Sequence, residues 1–130
     1  MKTRLAMFMC VAAIAASAPA LAHHSFSAEF DANKPVTLTG TVTKVEWANP
    51  HTWFFMDVKS PDGSVTNWGF ELAGPAQLVR AGWKRDSLKV GDAVTVDASR
   101  ARDDSNKANA RKIVLVSTGK QVLGGPPPGQ

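Results

Sequence analysis

The sequence contains a single cysteine, Cys10, and it has no apolar run long enough to cross a membrane. The uncharged stretch from Leu5 to Ala16 is about a dozen residues long, whereas a membrane-spanning helix needs ~20. A basic start, this apolar stretch and an Ala-Leu-Ala end are the three parts of a secretory signal peptide. We therefore expect residues 1–22 to be a signal peptide cleaved after Ala22, and the protein to be periplasmic. An uncleaved anchor is the alternative.

Cleavage at this position removes the only thiol, so disulfides and thiolate metal sites are excluded for the remaining chain. It also removes Lys2 and Arg4, which leaves 13 basic residues of the original 15 against 11 acidic ones, a net charge of +2. So small a charge is not typical of a nucleic-acid-binding protein. We expect neither a nucleic-acid partner nor stable membrane insertion, but an unidentified periplasmic protein or small ligand.

Common catalytic motifs are also missing from the sequence. It has no Gly-x-Ser-x-Gly, no Gly-rich phosphate loop and no His-Glu-x-x-His. Ser25 beside His24 is not a catalytic pair by itself, because a nucleophile needs a base that a third group orients. The sequence therefore predicts a binding protein and not an enzyme.

Alternating apolar and polar residues dominate the chain after residue 35, which is typical of half-buried strands. The alternation changes phase in the first strand near Gly40, which predicts a bulge or bend. Pro75 and Gly82 bracket a short helix. We predict an arm at 23–35 that contains a turn at 31–35, followed by strands at 36–47, 51–59 and 65–72 and then the helix. After the helix we predict a turn at 89–92 that leads into a fourth strand, a loop at 103–110 and a fifth strand at 111–118. A short sixth strand follows residue 120, and residues 124–130 form a disordered tail.

Three strands, a short helix and two further strands are the order of an OB-type barrel. A bent first strand suits that architecture because it must serve both halves of the barrel. The sequence thus predicts an all-β domain over 36–123, an OB-like barrel of five to six strands with one short helix between strands three and four. A small β-sandwich is the structural alternative.

Four segments also carry a family resemblance: "AHHSFSAEFD", "GTVTKVEWANPHTW", "TNWGFEL" and "GWKRDSLKVGDAVTV". Together, and in this order, they resemble a family of small exported bacterial proteins known as domain of unknown function 6152. The resemblance covers nearly all of the chain after the leader. It implies export and one compact β domain, and it implies no activity and no catalytic residues.

Cleavage after Ala22 would make His23 the first residue, and this suggests a metal site. The pKa of an α-amine is near 8, so this amine and the His23 ring Nδ1 could form a chelate with one ion. A third nitrogen, from His51 or His24, would complete a set that favours Cu(II). Glu29 and Glu71 are candidate second-shell partners. The alternative is structural: a frayed N-terminus and a turn histidine.

Two other groups of residues are candidate binding features. The aromatic side chains are too many for one narrow barrel interior, so one face of the sheet is either covered by the arm or exposed as a ligand surface. The candidate residues for this surface are Trp47, Trp53, Phe55 and Trp68.

Basic residues surround the loop between strands four and five: Arg100, Arg102, Lys107, Arg111 and Lys112. Interspersed aspartates favour a solvated loop over an anion site.

The sequence therefore predicts a periplasmic binding module whose cofactor is copper. A metal-free barrel that binds a protein or ligand through the aromatic face or the basic loop is the alternative. A redox enzyme with the same copper site is a weaker third hypothesis.

Overall fold

A computed structural model describes residues 26–123, which contain six strands and two short helical segments. Residues 26–29 are helical and lead directly into the first strand. The elements are β1 (Phe30–Glu46), β2 (Trp53–Lys59), β3 (Val65–Glu71), α1 (Pro75–Arg80), β4 (Ala93–Ala101), β5 (Lys107–Leu115) and β6 (Gln121–Leu123).

The strands form one sheet in the order β3-β2-β1-β4-β5-β6, and a further pairing closes it into a ring. That pairing is parallel and joins β3 to β5, with Gly69 opposite Lys107 and Glu71 opposite Asn109. The other ladders are antiparallel. A single sheet closed on itself is a barrel, so the predicted OB-like fold is confirmed and the two-sheet sandwich is excluded.

β1 is long and bends, as the phase change in its sequence predicts. Its register against β2 shifts between Val42 and Lys44, so Thr43 is the extra residue of a bulge. Near this bend Gly40 lies against β2, where a Cβ would be 2.3 Å from the carbonyl oxygen of Asp57. Only glycine permits so close an approach of the two strands.

The core fills the inside of the barrel with the inward residues of every strand. On β2, Phe54 and Met56 are fully buried while Trp53, Phe55 and Asp57 are partly exposed, which confirms the predicted alternation. Phe54 and Phe70 stack with ring centroids 4.9 Å apart. The helix adds Leu78 to this core. Gly82, just after α1, has a φ of 91°, a conformation that favours glycine.

Two boundaries were predicted wrongly. The segment 31–35, expected to be a turn in an arm, belongs to β1, which begins at Phe30. The residues that predicted a turn do interact locally, because the Asn33 amide donates to Asp31 Oδ1 at 2.9 Å. The pairing of β1 with β4 is also irregular between Phe30 and Pro35. A fully buried Phe30 opposite Ala101 nonetheless anchors the segment in the barrel.

The second error concerns residues 107–110, which were expected to lie in a loop. They form the start of β5. The local sequence has low β propensity, but pairing with β3 on one side and β4 on the other stabilises the strand. Ala108 is fully buried there. The loop itself is only 102–106.

Several predictions concern residues outside the described range: the signal peptide, His23, His24 and the 124–130 tail. Within residues 26–123, no helix combines the length and apolar character that a membrane crossing requires.

Candidate functional site

His51 lies at the junction of β1 and β2, on backbone that hydrogen bonds hold in place. The amide of the next residue, Thr52, donates to Ala73 O at 3.1 Å, and the Leu72 amide donates to Thr52 O at 2.8 Å. On the preceding side, a Cβ at Gly74 would be 2.7 Å from Pro50 O, so the β1–β2 and β3–α1 connections are in close contact. The junction therefore presents His51 from a fixed position.

The His51 ring contacts a carboxylate that a second side chain holds. Its Nδ1 lies 3.2 Å from Glu71 Oε2, and Asn109 Nδ2 donates to Glu71 Oε1 at 3.0 Å. The Glu71 side chain is only 11% exposed, whereas that of His51 is 39% exposed. Both carboxylate oxygens of a nearly buried acid thus have partners, and the histidine that it holds faces solvent.

This arrangement has the chemistry of a metal ligand with its supporting residue. A carboxylate at one imidazole nitrogen fixes the ring orientation and leaves the other nitrogen, here Nε2, for a ligand. Residues 26–123 contain no group of three or more His, Cys, Asp or Glu side chains arranged to hold a metal ion. A metal ion bound by His51 would therefore need further ligands from outside the described residues.

Asn109 was not predicted as a site residue. It lies in the stretch that was expected to be a loop, and it reaches Glu71 only because β3 and β5 pair in parallel. No local feature of the sequence indicates this contact. Glu29, the other predicted acid, lies elsewhere: its carbonyl accepts the Arg102 amide at 2.9 Å, beside the β4–β5 loop.

An aromatic pair lies on the outer face of β2, next to Glu71. The rings of Trp53 and Phe55 are stacked with centroids 6.5 Å apart and planes at 22°, and both side chains are partly exposed. Cross-strand pairing places Glu71 beside Trp53 and Gly69 beside Phe55. We call Trp53 and Phe55 the aromatic platform.

The other two predicted surface tryptophans are not in this platform. Trp68 is 8% exposed and packs in the core, where it stacks on Phe70 and lies beneath the Arg100 guanidinium. Its register partner is the inward Met56, and cross-strand partners share a face of the sheet. Trp47 is partly buried against the core, with Arg85 over its ring.

The basic residues around the β4–β5 loop mostly make internal contacts. Arg100 donates to the carbonyls of Asp104 and Ser105. Arg102 donates to Ser27 O and lies 3.7 Å from Asp31. These contacts hold the loop and attach the helical residues 26–29 to it, which is a structural role.

The comparisons with known proteins agree with this fold. A family model described as "Family of unknown function (DUF6152)" matches residues 11–110. The chain belongs to the DUF6152 family. This confirms the resemblance seen in the sequence. No curated protein matches this DUF6152 chain by sequence.

Two solved structures resemble this DUF6152 protein. One is a mitochondrial single-stranded DNA binding protein from S. cerevisiae, Rim1, with 13% identity and a TM-score of 0.50 over 67% of this chain and 94% of that one. The other is the N-terminal domain of PriB from Thermoanaerobacter tencongensis, with 22% identity and a TM-score of 0.47 over 65% of this chain and 97% of that one. At such identities, similarity to Rim1 supports the OB-like fold alone.

Proposed function

We propose that this protein is an exported periplasmic binding module that holds Cu(II) at its processed N-terminus. His23 supplies its α-amine and ring Nδ1, and His51 supplies Nε2; His24 is the alternative third ligand. Nitrogen-rich coordination of this kind favours Cu(II) among the divalent metals. The protein acts as a carrier or sensor component and not as a catalyst.

The contact of His51 with Glu71 is the observation that carries this proposal. A histidine that merely completes a turn needs no carboxylate, whereas a ligating histidine is commonly oriented by one. Glu71 is itself held by Asn109, so the ring, the acid and the amide form one connected group.

The attachment of the N-terminal segment supports the same site. Arg102, just after β4, donates to Ser27 O. Ala28 and Glu29 line one cavity with Lys107, which begins β5. Lys107 and Asn109 are the register partners of Gly69 and Glu71, so the segment that leads toward His23 is attached next to the strands that hold Glu71.

The test uses protein secreted from its own leader, whose intact mass reports both the cleavage site and any retained metal. Titration with Cu(II), followed by electron paramagnetic resonance, is expected to show one nitrogen-rich site. His23→Ala and His51→Ala should each weaken binding by about tenfold or more, because each removes a ligand that the site requires.

The sharpest control acetylates the α-amine of His23. This keeps every imidazole but removes the amine nitrogen from coordination, so the chelate cannot form and affinity should fall as in His23→Ala. Loss of binding in His24→Ala, but not in His51→Ala, would assign the third ligand to His24. Affinity that none of these changes alters would contradict the copper proposal. Turnover of an added reductant with oxygen would contradict the carrier role.

A second candidate function is metal-free ligand binding on the outer face of β2 and β3. The observation that favours it is the aromatic platform, whose two stacked rings are partly exposed on the sheet. In OB-type barrels this face and its adjoining loops commonly bind ligands. Absence of Cu(II) binding by the correctly processed protein would favour this candidate.

A further inference from the structure

We infer that the aromatic platform binds a neutral glycan. This inference rests on the second candidate function, and it requires neither His23 nor leader cleavage. A sugar ring has an apolar face of C–H groups and a rim of hydroxyls, so it is recognised by flat aromatic surface with hydrogen-bonding groups at its edge.

The two rings of the platform lie over a position of the neighbouring strand that has no side chain. Gly69 on β3 is the register partner of Phe55. A Cβ built at Gly69 would lie 3.1 Å from Phe55 Cε1 and 3.7 Å from Trp53 Cζ3, so both rings lean over this glycine. Both aromatic residues remain partly exposed on this face. Stacking on a sugar requires such accessible ring surface.

Polar groups lie on both sides of the two rings along the same sheet face. On one side, Asn67 Nδ2 donates to Asp57 Oδ1 at 2.7 Å and to Thr43 Oγ1 at 3.2 Å. On the other side is the His51 imidazole, which is 39% exposed and held by the Glu71 carboxylate. Polar side chains beside an apolar patch are suited to sugar hydroxyls, which both donate and accept hydrogen bonds.

The charges on this face favour a neutral ligand over a polyanion. The register places three lysines and three carboxylates on or beside the outer rows of β1, β2, β3 and β5: Lys44, Lys59, Lys107, Glu46, Asp57 and Glu71. Lys44 is further neutralised by an ion pair with Glu46 and lies 5.7 Å from the Phe55 ring centroid. Single-stranded nucleic acid binds aromatic surface within a positively charged groove. This face has no such excess of positive charge.

The experiment is a nuclear magnetic resonance titration of the purified full chain with neutral hexasaccharides built from glucose, xylose or N-acetylglucosamine, with a single-stranded oligothymidine as a second arm. At least one sugar should shift the indole resonance of Trp53 and the amide of Gly69. Trp53→Ala and Phe55→Ala should each weaken that binding by about tenfold. Gly69→Val, which places methyl groups under the rings, should weaken it similarly while leaving both aromatic residues present.

The matched control is Val79→Ala, which removes an exposed apolar side chain on α1 away from the platform. It should leave glycan affinity unchanged, and thermal melting checks that every variant folds. Absence of binding at sugar concentrations up to ~10 mM would overturn the inference. If the oligothymidine also causes no shifts, the second candidate function is weakened as well. Platform-dependent binding of oligothymidine alone would overturn the glycan assignment and keep the binding face. Sugar binding that Phe55→Ala and Gly69→Val leave unchanged would place the sugar elsewhere and overturn the inference.

Discussion

His51 Nδ1 lies 3.2 Å from Glu71 Oε2, and the acid is far more buried than the histidine it contacts. The pair joins the β1–β2 junction to the end of β3. Asn109, from the start of β5, holds the second carboxylate oxygen. Three separate parts of the barrel thus orient one exposed ring.

Replacement of Glu71 by glutamine is expected to weaken Cu(II) binding by about ten- to a hundredfold, while leaving His51 in the chain. Glutamine is nearly the same size but is neutral, so it orients the imidazole without raising its basicity. A competition titration with a chelator of known affinity measures the change. Asp97→Asn is the control, because Asp97 pairs with Thr37 on a different part of the barrel. Equal affinities of Glu71→Gln and the control would show that Glu71 has no part in metal binding.

Phe54→Ala should destabilise the protein by about 3–5 kcal/mol, because Phe54 is fully buried and stacks on Phe70. Phe55→Ala, one residue away, should cost about 1 kcal/mol or less because its ring lies on the outer face. Urea unfolding of the two variants measures this difference. Similar costs for the two would mean that Phe55 is packed under other parts of the chain and is unavailable as a platform.

Gly40→Ala is expected to destabilise the barrel by about 1–3 kcal/mol. The new methyl group would meet the Asp57 carbonyl at 2.3 Å, so β1 and β2 must separate locally. Thermal unfolding measures the loss, with Thr41→Ala, an exposed neighbour on β1, as the matched control. A Gly40→Ala variant as stable as this control would contradict the close approach of the strands at Gly40.

Arg102→Ala should increase hydrogen exchange in residues 26–30 while leaving the barrel ladders protected. The arginine side chain binds Ser27 O and lies near Asp31, so its removal loosens the segment that leads toward His23. Arg111→Ala on β5 is the control. If the copper proposal holds, Arg102→Ala should also weaken Cu(II) binding. Unchanged exchange at residues 26–30 would show that Arg102 does not hold the segment.

The β2–β3 turn gives a prediction with a defined pH dependence. The Ser64 hydroxyl and amide donate to Asp62 Oδ1 at 2.7 and 2.9 Å, and these bonds lower the pKa of Asp62 below the usual aspartate value. The stability that they contribute is therefore present above the unfolded-state pKa and is lost as pH falls through the lowered folded-state pKa. A carboxyl-detected titration should show Asp62 titrating below an ordinary aspartate, and Ser64→Ala should raise its midpoint. An unchanged midpoint in Ser64→Ala would contradict the assigned cause.

Local signals in the sequence were sufficient for the class of fold and for most of its elements. Alternation on β2, the Pro-Asp-Gly turn after it, and Pro75 and Gly82 around the helix all depend on backbone preferences of a few neighbouring residues. The order of strands and helix then indicated an OB-like barrel. His51 and Glu71 were also proposed as candidate site residues, because their residue types and positions at strand ends are visible in the sequence, and the structure brings the two side chains into contact.

Only the tertiary structure decided which of these features come together. Alternation defines two faces of a strand, but the register with its neighbour decides which face is inside, and this is why Trp68 proved to be core while Trp53 is outside. The parallel pairing of β3 with β5 joins Glu71 to Asn109 and makes residues 107–110 a strand. Such contacts between distant residues depend on the closure of the whole barrel, and no local sequence pattern encodes them.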